Sequence, residues 1–206
     1  MDASLFDNWA DNYDNDVKAS DQAESYPFAG YERVLDIIEK LVLTEPVGKV
    51  LDLGTGSGTL ASRFYDEGWG ISAIDFSEEM LKQARERMPE ARFLIADFAK
   101  VLPKELDGEK FDFIVMTYAF HHIEYEKQAD FLRSLLPLLT ENGKILLGDI
   151  SFETKEDMEK AKLKSGEGWD DEEFYPIIEE LRAQLPDLHF EHEVISFCAT
   201  VMRISN

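Results

Sequence analysis

Residues 50–58 read Val50-Leu51-Asp52-Leu53-Gly54-Thr55-Gly56-Ser57-Gly58, a short apolar run of strand character that passes straight into three alternating glycines. An amphipathic stretch, 59–67, follows and stops at Gly68. Strand, glycine turn and helix in that order bring bare backbone amides to the end of a sheet, where any side chain would intrude on a bound molecule. The segment calls for strands layered against helices. It also marks the turn as a small-molecule site.

The rest of the chain repeats the alternation. Strand-like runs fall at 49–53, 70–75, 91–96, 111–116 and 144–150, the last entered through a turn at Asn142-Gly143. Between them lie helical patterns. Tyr31, Val34, Leu35, Ile38, Leu41 and Val42 recur at helical spacing after Pro27. Ser77 is placed to cap a helix whose first turn carries Glu78 and Glu79 and which must end before Pro89. A further helix is expected over 124–139. Alternating strands and helices specify a three-layer α/β sandwich with a mainly parallel sheet.

After about Ser151 the pattern changes. A charged helical stretch, with Glu156 and Lys160 as an i,i+4 pair on a solvated face, reaches Lys164 and is interrupted by Gly166-Glu167-Gly168-Trp169. A helix is expected over 171–185, with Phe174, Ile177, Ile178, Leu181 and Leu185 on one side. Two β-rich runs, 189–197 and 199–204, leave no room for a crossover helix, so they pair antiparallel or one lies outside the sheet. We read 1–206 as one domain: an N-terminal helical lid segment (1–45), a binding core (46–150), and C-terminal helices with a hairpin (151–206). In the N-terminal segment Phe6, Trp9, Tyr13 and Tyr26 are spaced aromatics; Trp9 and Tyr13 stand one helical turn apart, which fits either packing on the core or a lid.

Composition narrows the function. Forty-three acidic residues against 21 basic ones give a formal net charge of −22, which repels nucleic acid and anionic lipid. No segment approaches the ~18 uninterrupted apolar residues of a membrane span. The Asp- and Asn-rich start lacks the basic and apolar regions of a signal peptide, so a cytoplasmic protein is expected. The single cysteine, Cys198, excludes an intramolecular disulfide and a cysteine-based zinc cluster, and its apolar surroundings fit a buried thiol.

Three acids close successive strands: Asp52 in the glycine segment, then Asp75, then Asp97. Ligands of open α/β sheets sit at those strand ends. Asp75 lies 21 residues after Gly54, the distance at which an acid meets ribose hydroxyls in nucleotide sites. Asp97 is placed to accept from an adenine amine, with Phe76 or Phe98 over the ring. A nicotinamide dinucleotide site expects its third glycine three positions after the second; that position is Thr59, and the glycine comes one residue earlier.

These residues resemble a known family. Residues 50–58 look like the first motif of class I S-adenosylmethionine-dependent methyltransferases, 71–80 like their second and Ala96-Asp97-Phe98 like their third. Phe111-Asp112-Phe113-Ile114-Val115 with Ala119-Phe120-His121-His122-Ile123 is similar to the fourth strand and its loop, and 139–147 to the entry into the fifth. The opening Phe6-Asp7-Asn8-Trp9-Ala10 through Tyr13-Asp14 resembles small bacterial members of the ubiquinone/menaquinone methyltransferase-like group. The resemblance implies a Rossmann-like, seven-stranded sheet whose last strand runs antiparallel, with S-adenosylmethionine as cofactor and S-adenosylhomocysteine as product. It implies Gly54, Thr55, Gly56 and Gly58 in the turn around the methionine part, Asp52 near its ammonium, Asp75 at the ribose, and Asp97 and Phe98 at the adenine. Thr117 falls at the methyl-donor end and Tyr13 in the lid.

The expected chemistry is transfer of a methyl group to a small-molecule acceptor, in a monomer or homodimer. A hydroxyl or amine acceptor needs its proton removed, and the candidate bases are His121 and His122, although a histidine pair here also serves to shape the loop. Tyr118, Trp169, Asp170 and Tyr175 are candidates for the acceptor pocket. His189 and His192 read as surface residues, and no His, Asp or Glu spacing reads as a metal site. Two other functions compete: a non-catalytic sensor or scaffold that binds the same cofactor, and an NAD-dependent oxidoreductase.

Overall fold

The computed structural model describes residues 13–206, with side chains from Asp16 onward. Helices α1 (Tyr13–Gln22) and α2 (Tyr31–Leu43) precede strand β1 (Lys49–Leu53), then α3 (Ala61–Asp66), β2 (Gly70–Asp75), α4 (Glu78–Arg87), β3 (Arg92–Ile95), β4 (Phe111–Thr117), α5 (Tyr125–Leu135) and β5 (Leu139–Ile150). Helices α6 (Lys155–Ser165) and α7 (Ile178–Gln184) and strands β6 (His189–Val194) and β7 (Ala199–Ser205) complete the chain. The seven strands form one sheet in the order β3-β2-β1-β4-β5-β7-β6.

From β3 to β5 all neighbours are parallel, while β7 runs antiparallel to both β5 and β6. Of the two arrangements left open for the terminal runs, the hairpin inside the sheet is the one formed. The inner strands β1, β2 and β4 are mainly apolar and buried because both faces of the sheet are covered there, whereas β3 at the edge is only partly buried. Val50, Ile71, Phe113, Val115 and Val201 face a core shared with Val34, Leu35 and Ile38 of α2 and Phe64 of α3. Leu51, Ile74, Ile114, Met116 and Met202 face a second core with Leu132 and Leu135 of α5 and Leu181 of α7. Arg63 ties α3 to α2 by reaching Glu32, Asp36 and Glu39 at 2.8, 2.8 and 2.9 Å.

Several expectations are corrected. The helix expected over 124–139 ends at Leu135, and a 3-10 turn then hands the chain to β5, which already begins at Leu139. Asn142-Gly143 therefore lies within β5. Opposite Phe111 and Phe113 the β5 partner jumps from Leu139 to Lys144, so the turn signal becomes a bulge in a continuing strand. The helix expected over 171–185 is confined to Ile178–Gln184. Pro176 has no amide to give a helix interior, and its carbonyl instead accepts the amide of Phe152 at 3.0 Å. Residues before α7 run as an extended strap bridged to the end of β5 through Phe152 and Ile177. Ser77 caps α4 as expected, its hydroxyl accepting the Met80 amide. The Glu156–Lys160 pair on α6 forms at 2.9 Å. His192 is not a plain surface group: it is half-buried and pairs with Glu153 and Arg182. No helix among the described residues is long and apolar enough to cross a membrane.

Candidate functional site

β1, β2, β3 and β4 end side by side, and their C-terminal ends open onto one cavity. Its wall is made by Gly54 and Gly56, by Asp75, Phe76 and Met80, by Asp97, Phe98 and Ala99, and by Thr117, Tyr118, Ala119 and His122. The glycine turn is pinned there because the amides of Gly54 and Thr55 both donate to the carbonyl of Ile74, at 2.8 and 3.1 Å. Gly56 has φ +54°, and a Cβ built on it meets nothing within 4 Å. Open space at a left-handed glycine is what a cradle for a ligand requires. Gly58 has a different task. Its φ is +81°, and a Cβ there comes 2.9 Å from Met88 Cε and 3.1 Å from Ala84 Cβ, so the missing side chain lets the turn pack on α4.

Asp75 sits on the cavity wall and is itself nearly buried. The amide of Gly56 donates to its Oδ2 and that of Ser77 to its Oδ1, each at 2.9 Å. Burial lifts this carboxyl above its ordinary range, against the pull of those amides. Asp52 lies just behind the turn and is buried. Its Oδ2 accepts the Thr55 hydroxyl at 2.7 Å, while its Oδ1 has no hydrogen-bond partner among the described residues. Burial, helped by the nearby Asp75, pushes Asp52 up to about 7 although the Thr55 bond opposes the rise. An orphaned buried carboxylate oxygen beside an open cradle is costly unless the group takes up a proton or a cation arrives to pair with it. Asp97, on the adjacent strand end, is half-buried and holds Lys100 at 2.8 Å.

The two histidines occupy different places. His121 is buried off the cavity wall, its Nδ1 2.5 Å from Oδ1 of Asp149. His122 lines the cavity, and its Nδ1 lies 2.8 Å from Oε2 of Glu173. Burial alone would depress His121, but Asp149 holds it raised; burial and the neighbouring His121 lower His122. Tyr118 stands at φ +51°, an uncommon backbone for an aromatic residue, with its ring against Phe28 and Tyr31.

Of the residues singled out from sequence, Gly54, Gly56, Asp75, Phe76, Asp97, Phe98, Thr117, Tyr118 and His122 share the wall. Asp52, Thr55, Gly58 and His121 stand behind it. The side chain of Tyr13 lies outside the described residues. Trp169 and Tyr175 are absent from the wall and instead pack with Tyr26, and Asp170 is exposed. Sequence reasoning missed Met80, Ala99 and Ala119, which carry no chemical signal, and also Asp149 and Glu173. Asp149 was findable: an acid within the apolar run 145–150 has to meet a partner.

A family profile described as a methyltransferase domain matches residues 50–143. An uncharacterized methyltransferase of Staphylococcus carnosus is 31% identical over 180 residues, spanning 87% of this chain and 81% of that protein. The chain belongs to the class I S-adenosylmethionine-dependent methyltransferases. An uncharacterized methyltransferase of Bacillus cytotoxicus is 35% identical over 160 residues, covering 76% of this chain and 71% of its own. Among solved structures, the magnesium protoporphyrin IX methyltransferase of Synechocystis PCC 6803 with bound S-adenosylhomocysteine shares the fold at 15% identity. It superimposes with a TM-score of 0.68 over 99% of both chains. Membership decides between the methyl donor and the nicotinamide dinucleotide in favour of the former. In this methyltransferase the cavity at the strand ends borders the glycine turn that the sequence singled out.

Proposed function

We propose that this methyltransferase methylates a small-molecule acceptor, with S-adenosylmethionine lying across the glycine turn from Asp52 to Asp97. The observation that carries the reading is Asp75. It is a wall carboxylate already oriented by two backbone amides, with lone pairs left for a ribose diol and open space beside it at Gly56. The unpartnered Oδ1 of Asp52 suits the cofactor's ammonium, with Thr55 fixing the carboxylate from behind. The backbone of Gly54 and Gly56 borders the methionine part. Phe76, Met80 and Phe98 supply apolar surface for the adenine, and Asp97 an acceptor for its amine. Thr117 borders the methyl end, and the resemblance puts Tyr13 in a lid.

When bound, the cofactor supplies a methyl group on a sulfonium centre, open to in-line displacement. The protein's task is then alignment and exclusion of water. His121 and His122 form the acceptor-side pair, with His122 on the wall and His121 held behind it by Asp149. A small acceptor is favoured by the net charge of −22, which opposes nucleic acid. It also agrees with the Synechocystis neighbour, whose name gives a porphyrin as substrate. The opening motif from Phe6 to Asp14 supports membership of the small ubiquinone/menaquinone methyltransferase-like group. The test is release of S-adenosylhomocysteine, followed by mass spectrometry, with pools of small acceptors (quinols and phenols among them) and with tRNA and DNA. Product is expected with a small-molecule pool; product with nucleic acid alone would contradict the proposal.

A further inference from the structure

We propose that His121, His122 and Glu173 hold a divalent transition-metal ion beside the cofactor cavity. One donor atom from each lies within 4.8 Å of the others. The two imidazole rings are 4.1 Å apart, and Glu173 Oε2 is 2.8 Å from His122 Nδ1. Nitrogen and oxygen ligands at ~2.0–2.2 Å from an ion stand roughly 3–4 Å from each other, so small side-chain rotations close the set. Two imidazoles and one carboxylate form a ligand group for Zn²⁺ and its neighbours, with positions left over for other ligands.

What surrounds the three residues argues that the cluster is built. Asp149, fully buried, takes Nδ1 of His121 at 2.5 Å. The amides of Phe120, His121 and Ile150 hold that carboxylate at 2.7, 3.2 and 2.7 Å. A carboxylate on Nδ1 fixes the tautomer and leaves Nε2 as the ligating nitrogen, the outer-shell arrangement that metal-bound histidines use. The Glu173 side is fastened as well. The amide of Phe174 donates to the carbonyl of His121 at 2.9 Å, and Gln128 Nε2 donates to the carbonyls of Phe174 and Ile123 at 2.8 and 3.0 Å. The strap before α7 is thereby locked to the loop after β4, and Glu173 is held against the histidines although fifty-odd residues separate them in sequence.

The His122–Glu173 pair accounts for one contact of the cluster, and the buried Asp149 behind His121 adds the outer carboxylate that a ligating histidine uses. The chain's other two histidines, His189 and His192, lie on β6 and pair with Glu191 and Glu153. The inference rests on the methyl-transfer reading for its consequence. An acceptor hydroxyl coordinated beside His122 would have its pKa lowered toward neutrality and would lose its proton to water, leaving an oxygen nucleophile without a side-chain base.

The test uses the full chain, stripped with chelator and titrated with Co²⁺, read by visible absorption, with Zn²⁺ displacement by calorimetry. Binding of S-adenosylhomocysteine is measured on the same samples. One equivalent of Co²⁺ is expected, weakened at least tenfold in Glu173→Gln and 10–100-fold in Asp149→Asn, and unchanged in His189→Asn/His192→Asn. Glu173→Gln should still bind S-adenosylhomocysteine within a few-fold of wild type, which shows that the fold persists. No stoichiometric Co²⁺ binding, or binding that survives Glu173→Gln or disappears with His189 and His192, overturns the proposal. Co²⁺ bound at the cluster by a chain that binds no S-adenosylhomocysteine would instead sink the methyl-transfer reading.

Discussion

Cofactor affinity should depend on pH through Asp52. Burial pushes its carboxyl up to about 7, and one of its oxygens has no partner among the described residues. An ammonium docked on that oxygen favours the ionised form, so binding must draw the Asp52 pKa down and release a proton. At pH 8 about nine-tenths of the free protein has Asp52 ionised, and at pH 6 about one-tenth. If the ammonium binds only the ionised form, the Kd for S-adenosylhomocysteine rises about tenfold from pH 8 to pH 6, or about 1.4 kcal/mol. Affinity is lost as the pH falls. Calorimetry in buffers of different ionisation enthalpy should record about half a proton released per ligand at pH 7. Asp52→Asn keeps the shape and the contact with Thr55 but has no titration, so its slope should shrink to under about threefold. Asp75 is also raised, and it accounts for the remaining slope. A wild-type Kd equal at pH 6 and 8, or an Asp52→Asn variant with the full slope, would refute the reasoning.

Other consequences are equally open to measurement. Gly56→Val places a branched side chain at φ +54° in the open cradle; binding of S-adenosylhomocysteine should fall more than tenfold while far-UV circular dichroism is preserved, and normal binding would displace the cradle from this turn. Gly58→Ala drives a methyl group into Ala84 on α4 and Met88 just after it, which should cost about 1–3 kcal/mol in denaturant unfolding; an unchanged midpoint would show that the turn relaxes freely. Arg63→Ala leaves Glu32, Asp36 and Glu39 facing one another, and the loss of about 1 kcal/mol should shrink in high salt. A loss insensitive to salt would assign the role of Arg63 to packing.

Local features of this chain were legible because they are local. The bounds of β1 and β2, the Ser77 cap and the closing hairpin follow from residue types within a few positions of one another. So does the row of acids at the strand ends. The helix expected over 171–185 failed because its apolar spacing fits an extended strap as well, and Pro176 decides between them. Asn142-Gly143 reads as a turn in isolation, yet pairing with β4 carries the strand through it. The partners of the histidines were hidden for another reason. Asp149 and Glu173 reach His121 and His122 only once β5 lies beside β4 and the strap folds back along the sheet. Contacts made by topology leave little local trace in sequence, whereas those made by a turn do.

In the proposed function Asp75 holds the cofactor's ribose at the end of β2. Titration calorimetry of S-adenosylhomocysteine against the wild-type protein and Asp75→Ala measures that role. One site per chain is expected in the wild type, with an affinity lower by about 1.5–3 kcal/mol in the variant, since two charge-assisted hydrogen bonds are removed. An affinity that Asp75→Ala leaves unchanged, in a protein that still folds, would contradict it.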